Sequence, residues 1–283
     1  MRALLPLVLL GSSVSSASTP ADSVDVGQLE GLGDVRYHLL ETKGPERTYH
    51  IFVSLPDGYA ESGDPSYPTI YLLDGGITFP LLSAYYNYLA LGDEVPEAIV
   101  VGISYGTHDE REGNRRSTDF TAPSAEREHW GGAPVFQRFL SERLFPLVEK
   151  HYRSRADRRI LFGQSLGGQF VLYTALTQPN LFWGHIASNP ALHRNLPFFL
   201  SWQGGGAIPE SGGRVFVSSG SLDEPQFRDP ALEWIRHWSN AGVSKPWELR
   251  TITLDGHTHF SAVPEAFLAG VRWLLDDDEA HAP

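Results

Sequence analysis

The sequence predicts an α/β fold, a mostly parallel central sheet with helices on both faces. Three observations carry that reading. Short runs of β-branched and apolar residues alternate with helix-patterned segments along most of the chain. Several of these runs, such as residues 97–104, are apolar throughout, which is the pattern of strands buried on both faces. One such run passes through Gly163-Gln164-Ser165-Leu166-Gly167 into an apolar helical segment, and reads as strand, sharp turn and helix.

In chain order, β-type residues at 35–40 and 48–55 flank Lys43-Gly44-Pro45-Glu46 and predict an antiparallel hairpin. Residues 68–73 form a buried strand running into the turn Asp74-Gly75-Gly76, with a helix expected over 79–89. The strand 97–104 is followed by a polar excursion over 105–134, long enough to expect a function for it. An amphipathic helix spans 135–152 with Pro146 inside, then come the strand 158–162 and a helix over 169–176 that Pro179 ends. A strand at 184–188 leads into a second excursion, 189–213, rich in Gly, Pro and aromatic residues. A strand at 214–218, a helix at 230–240, a strand at 247–254 and a helix at 264–275 complete the pattern.

A chain of 283 residues with 41% hydrophobic and 12% aromatic content is long and apolar enough to bury a full α/β core. Its net charge of −12 argues against a nucleic-acid or anionic-membrane partner, since either needs a basic face. The absence of cysteine excludes disulfides and thiol catalysis. Residues 1–17 place Arg2 before a short apolar run and end in Ser15-x-Ala17, the signature of a secretory signal cleaved after Ala17, with Ala21 as the second candidate. That run is too short to span a membrane comfortably, and no later segment approaches the needed length. The expected organisation is a signal peptide at 1–17, a flexible leader at 18–33, the α/β domain at 34–276 and an acidic tail at 277–283. The mature chain is then periplasmic or secreted.

Serine is a weak nucleophile until a base takes its proton and an acid orients that base. The chain offers these groups in the order Ser165, Asp223, His259, each just after a predicted strand, where catalytic groups of α/β sheets collect. Gly163 and Gly167 supply the small residues a strained serine turn needs; the alternative is a glycine-rich loop with a solvated serine. Glu224 is the near alternative to Asp223, and either acid could instead cap the next turn. Of His257 and His259, the second precedes the turn into the last helix and is preferred. A His-x-His pair also suits a metal, but no third ligand stands at a recognisable spacing, so no metal or cofactor is expected. The oxyanion donors expected are the backbone N–H of Leu166 and of Gly76, with Gly75 next. Arg111, Arg115 and Arg116 could hold an anionic substrate or pair with Glu112 and Asp119. Trp130, Phe198, Phe199 and Trp202 line a pocket or form the excursions' own small core. Substrate contact is expected of Arg116, Arg115 and Trp202.

With these residues in place, the chain resembles α/β-hydrolases of the esterase D and ferric-siderophore esterase type, and more distantly the mycolyltransferases. The resemblance lies in Tyr71-Leu72-Leu73-Asp74-Gly75, Val101-Gly102-Ile103, Arg116-x-x-Asp119-Phe120-Thr121-x-Pro123, Gly131-Gly132-Ala133 with Phe139-Leu140, Phe162-Gly163-Gln164-Ser165-Leu166-Gly167-Gly168, and Thr258-His259-x-Ser261-x-x-Pro264. It implies the α/β-hydrolase fold, Ser165 as nucleophile, His259 as base, Asp223 as acid, and oxyanion N–H groups near Gly76 and Leu166. A Ser-His pair without the acid also occurs in siderophore esterases. Where many relatives have Ser-Pro-Ser-Leu-Trp, this chain has Ser188-Asn189-Pro190-Ala191-Leu192-His193, which changes the pocket wall. The implied substrate is a small-molecule carboxylic ester: the ester backbone of a catecholate siderophore, an acylated sugar or a short acyl ester. An acyltransferase on the same scaffold and a non-catalytic binding protein are the alternatives.

Overall fold

The computed structural model describes residues 30–59, 63, 66–125, 127–201 and 213–279. The expected signal segment, nearly all of the leader, and Trp202 lie outside the described residues. Eight strands form one sheet in the order β1-β2-β4-β3-β5-β6-β7-β8. Its antiparallel edge is β1 (Asp34–Lys43) with β2 (Glu46–Leu55), whose pairing of Lys43 with Glu46 leaves Gly44-Pro45 as a two-residue turn. β2 is antiparallel to β4 (Ile99–Ser104) as well. The remaining strands run parallel: β3 (Tyr67–Leu72), β5 (Ser154–Gln164), β6 (Gly184–Ser188), β7 (Gly213–Gly220) and β8 (Trp247–Leu254).

Strand pleating sorts the core into two layers, because successive side chains point to opposite faces. Ile70, Leu72, Ile160 and Phe162 pack against Phe79, Leu82 and Tyr86 of α1 (Gly75–Ala90) and Phe267, Val271 and Leu274 of α8 (Val263–Glu279). Tyr71, Leu73 and Leu161 point the other way, into the layer of α3 (Ala133–Phe139), α4 (Phe145–His151), α5 (Leu166–Thr177) and α7 (Pro225–Ser239). Burying both faces is why these strands carry unbroken apolar runs.

β3 has β4 on one side and β5 on the other, so the chain reverses direction across the sheet between β4 and β5. That reversal opens a crevice at the carboxyl ends of β3 and β5, where ligands bind in open α/β sheets. Among the described residues no helix is long and apolar enough to cross a membrane.

Several elements differ from expectation. α1 starts at Gly75 rather than near residue 79, so the two glycines form a helix start instead of a loop. A Cβ at Gly75 would lie 2.5 Å from Ile103 N, which is why glycine is needed there. The single helix expected over 135–152 is α3 and α4 joined by a π-type turn, Leu140–Leu144. Pro146 lacks an N–H and its ring crowds the carbonyl one turn back, so the wider turn precedes it and Pro146 sits in the first turn of α4. α7 begins at Pro225, with Pro230 inside it, rather than at residue 230. Within the two excursions the chain forms short helices α2 (Arg116–Asp119) and α6 (Leu196–Ser201).

Candidate active site

Ser165 follows β5 at φ 59° and ψ −115°, a region that a residue with a side chain adopts only under strain. The turn survives because its neighbours over-determine it. Ser165 N–H donates to Ser188 O at 3.0 Å, while Ser165 O accepts from Ala191 N–H at 2.9 Å and Gln169 N–H at 3.0 Å. A Cβ on Gly163 would collide with the carbonyl of Gly167, so the first glycine of the turn is obligatory. At Gly167 an added Cβ would meet Leu73 Cβ at 3.5 Å and Asp74 Oδ2 at 3.6 Å, ordinary contact, so a small residue would fit. The same contacts put the start of α5 against the start of α1.

Both helix starts leave N–H groups without helical acceptors. Asp74, at φ 55°, precedes α1, and its carbonyl accepts from Ile77 N–H at 2.9 Å and Thr78 N–H at 3.1 Å. The N–H groups of Gly75 and Gly76 stand ahead of those bonds, as that of Leu166 does in α5. Arg116 holds this turn: its Nε and Nη2 donate to Asp74 Oδ1 and Oδ2, each at 2.8 Å, a forked pair. Arg116 is therefore placed against the protein's own carboxylate. Arg115 Nη1 donates to the carbonyls of Glu110 and Asn114, and Arg111 pairs with Asp109.

Asp119 pairs with none of these three arginines. Buried at 2% exposure, it accepts from Arg47 Nε at 3.1 Å, Tyr49 OH at 3.1 Å and Tyr105 OH at 2.9 Å. Burial and the adjacent carboxylate push both phenols up, which keeps them neutral donors. This network pins the first excursion to β2.

His259 lies in the loop after β8, and Asp223 in the loop after β7. His259 Nδ1 donates to Asp223 Oδ2 at 2.9 Å. Asp223 Oδ1 accepts the N–H of Glu224 at 2.8 Å, and that side chain is 1% exposed. Glu224 turns outward and accepts from Gln226. The structure thus brings Asp223, and not its neighbour, to His259. An ionised carboxylate only accepts, so the proton on Nδ1 leaves Nε2 of a neutral imidazole as a free base. The ring packs against Phe227 at 4.8 Å between centroids. His257 turns its Nδ1 to Ser261 O at 3.0 Å instead. Among the described residues no three His, Asp or Glu side chains converge in a metal-binding group.

Two amides that the motif reading did not single out hold the His259 backbone. Gln164 Nε2 donates to His259 O at 2.6 Å and Asn189 Nδ2 at 3.2 Å, while Asn189 Oδ1 accepts Gly220 N–H at 2.7 Å. Asn189 thereby ties the loops carrying the histidine and the acid together. No sequence signal marks it: its φ of 39°, a region Asn tolerates better than most residues, is displayed only by the structure. Of the aromatic residues in the excursions, Phe199 is fully buried and its carbonyl accepts from Trp238 Nε1 at 3.0 Å, so it belongs to the core.

Comparison with known proteins identifies the family. The family described as "Putative esterase" matches residues 42–243. Ferri-bacillibactin esterase BesA of Bacillus subtilis is 37% identical over 270 residues, spanning 86% of this chain and 90% of the relative. Apo-salmochelin esterase of Escherichia coli is 29% identical over 184 residues, 60% of this chain and 56% of the relative. The crystal structure of BES protein from Bacillus cereus superposes with a TM-score of 0.72 at 26% identity, covering 86% of this chain and 96% of that one. The chain belongs to this esterase family of α/β-hydrolases and is a carboxylic ester hydrolase.

Proposed function

We propose that the protein is an exported serine esterase that opens the ester bonds of a siderophore-type substrate through an acyl-enzyme on Ser165. The observation that carries the mechanism is the 2.9 Å contact of His259 Nδ1 with the buried Asp223, on a loop that Gln164 ties to the strained turn of Ser165. The Oγ–H to Nε2 hydrogen bond forms as substrate arrives, the usual tightening of an unliganded site. His259 then takes the proton while Oγ bonds to the ester carbonyl carbon. The negative charge on the former carbonyl oxygen is met by the N–H groups of Gly76 and Leu166, each contributing about 3 kcal/mol to the barrier reduction. As the oxyanion collapses, the carbon–oxygen ester bond breaks and His259 Nε2 returns its proton to the departing alcohol. Water repeats the cycle on the acyl-serine: Nε2 takes its proton, the acid leaves, and Oγ is reprotonated. Export is supported by the apolar run and small-residue site of residues 1–17. The siderophore substrate is supported by the relatives, a ferri-bacillibactin esterase and an apo-salmochelin esterase.

The test is hydrolysis of a p-nitrophenyl acyl ester series and of a trilactone siderophore by the wild type, Ser165→Ala and His259→Ala. The expected result is activity that both substitutions lower by several orders of magnitude. A folded wild type inert on every ester, or a Ser165→Ala variant as active as wild type, refutes the mechanism.

A further inference from the structure

The two excursions meet at one indole. Trp130, from the first, is 8% exposed. The guanidinium of Arg127 lies 5.4 Å from its ring centroid and that of Arg194, from the second excursion, 5.3 Å. Asn195 Nδ2 donates to Pro123 O at 2.8 Å and fixes the two segments side by side. Neither arginine forms an ion pair with a carboxylate among the described residues. Arg194 holds its proton less firmly than usual, first because of burial and then because of the like charges of Arg127 and Arg116, with Glu110 opposing. Like charges held this close repel one another, a cost that an anionic ligand would offset.

The place of this group relative to the reacting atoms follows from a chain of contacts. Ala191 N–H is bonded to Ser165 O, and the same segment leads on to His193 and Arg194. Arg194 Nε donates to His193 Nε2 at 3.4 Å. The His193 ring lies 5.2 Å from Phe227, which packs on His259. Burial, then Arg194, then His259 all disfavour a charge on His193, in keeping with its role as an acceptor. Arg194 is thereby joined to the base through His193 and Phe227, and Arg127 to Arg194 through the shared indole.

We propose that Arg127 and Arg194, stacked on Trp130, form a subsite that selects esters whose acyl arms carry several negative charges over neutral esters of similar size. This rests on the esterase reading of Ser165. Planar guanidinium forks match arrays of anionic oxygens, and stacking on the indole fixes them without consuming their donors. A ferric chelate of three catecholate arms is trianionic, whereas one of three hydroxamate arms is neutral. The pair of chelates separates charge from size.

The full chain carrying Ser165→Ala allows binding to be measured without turnover, by quenching of tryptophan fluorescence. The probes are a ferric trilactone with catecholate arms and a ferric ester with hydroxamate arms. The anionic chelate should bind at least about tenfold more tightly at low salt, with the margin narrowing as salt is raised. Arg127→Gln with Arg194→Gln should erase that margin, and Lys at both positions should restore part of it. Arg127→Gln alone, at an exposed position, gives the same reading if the double variant melts early. Equal binding of both chelates, or a margin that survives Arg127→Gln and Arg194→Gln, overturns the subsite. Hydrolysis by the Ser165 chain is measured in parallel: turnover without charge preference sinks the subsite alone, and charge-selective binding without turnover of any ester sinks the esterase reading alone.

Discussion

Replacing Asp223 with Asn tests what the buried acid does for His259. The side chain is 1% exposed, with Oδ2 on His259 Nδ1 at 2.9 Å and Oδ1 on Glu224 N–H at 2.8 Å. An asparagine of the same shape keeps the Glu224 bond only by placing its oxygen there, which turns its NH2 group toward Nδ1. Two donors cannot face each other, so the imidazole must move its proton to Nε2. Nε2, the nitrogen proposed to take the Ser165 proton, then already holds one and cannot accept another. The expected loss in kcat is about a thousandfold to ten-thousandfold, or roughly 4 to 5 kcal/mol of barrier, with KM little changed. Steady-state hydrolysis of p-nitrophenyl butyrate, with circular dichroism to verify folding, measures it. Glu224→Gln serves as the comparison, since its carboxylate faces outward to Gln226. The reasoning fails if Asp223→Asn keeps more than about a tenth of wild-type kcat, or if Glu224→Gln costs as much.

Asn189→Ala removes the clamp on the His259 carbonyl and orphans the Gly220 N–H; it should cost about 2 kcal/mol in urea denaturation and lower kcat, whereas Asn189→Asp, which keeps the acceptor, should lose less stability. Asp119→Ala leaves Arg47 uncompensated at 12% side-chain exposure and should destabilise the fold by about 3 kcal/mol; a melting temperature equal to wild type would contradict the anchoring role. Burial lowers the His185 imidazole to about 4. Because the unfolded chain takes up this proton below pH 6.5 and the folded chain does not until about 4, stability is full above that window and falls as pH drops through it. Between pH 7 and pH 5 the wild type should lose about 2 kcal/mol more than His185→Leu does, and equal urea midpoint shifts for the two would refute it.

Much of the fold is readable locally. The pleat period assigns Ile70 and Leu72 to one layer and Tyr71 and Leu73 to the other, and unbroken apolar strands imply helices on both faces. The boundaries that shifted are those where proline or glycine has two uses. Pro225 and Pro230 both suit a first turn, and only the packing of α7 shows the helix running through the second. Gly75-Gly76 reads as a loop, yet the close approach to Ile103 makes it a helix start.

At the site, the sequence by itself determines which residue types are available and in what order: a serine between glycines, acids after the next strand but one, and two histidines after the last. Those follow from short-range chemistry, because a strained turn needs small neighbours and a strand end presents its next residues to the crevice. Which of two adjacent acids meets the histidine, whether Arg116 faces a ligand or Asp74, and that Asn189 joins two loops were decided only by the tertiary structure. Asp223 and Glu224 differ by one position, but a single turn at a helix start points one inward and the other to solvent. Partners separated by 36, 42 and 70 residues are chosen by which strand ends the sheet order places side by side, and that order is a property of the whole chain.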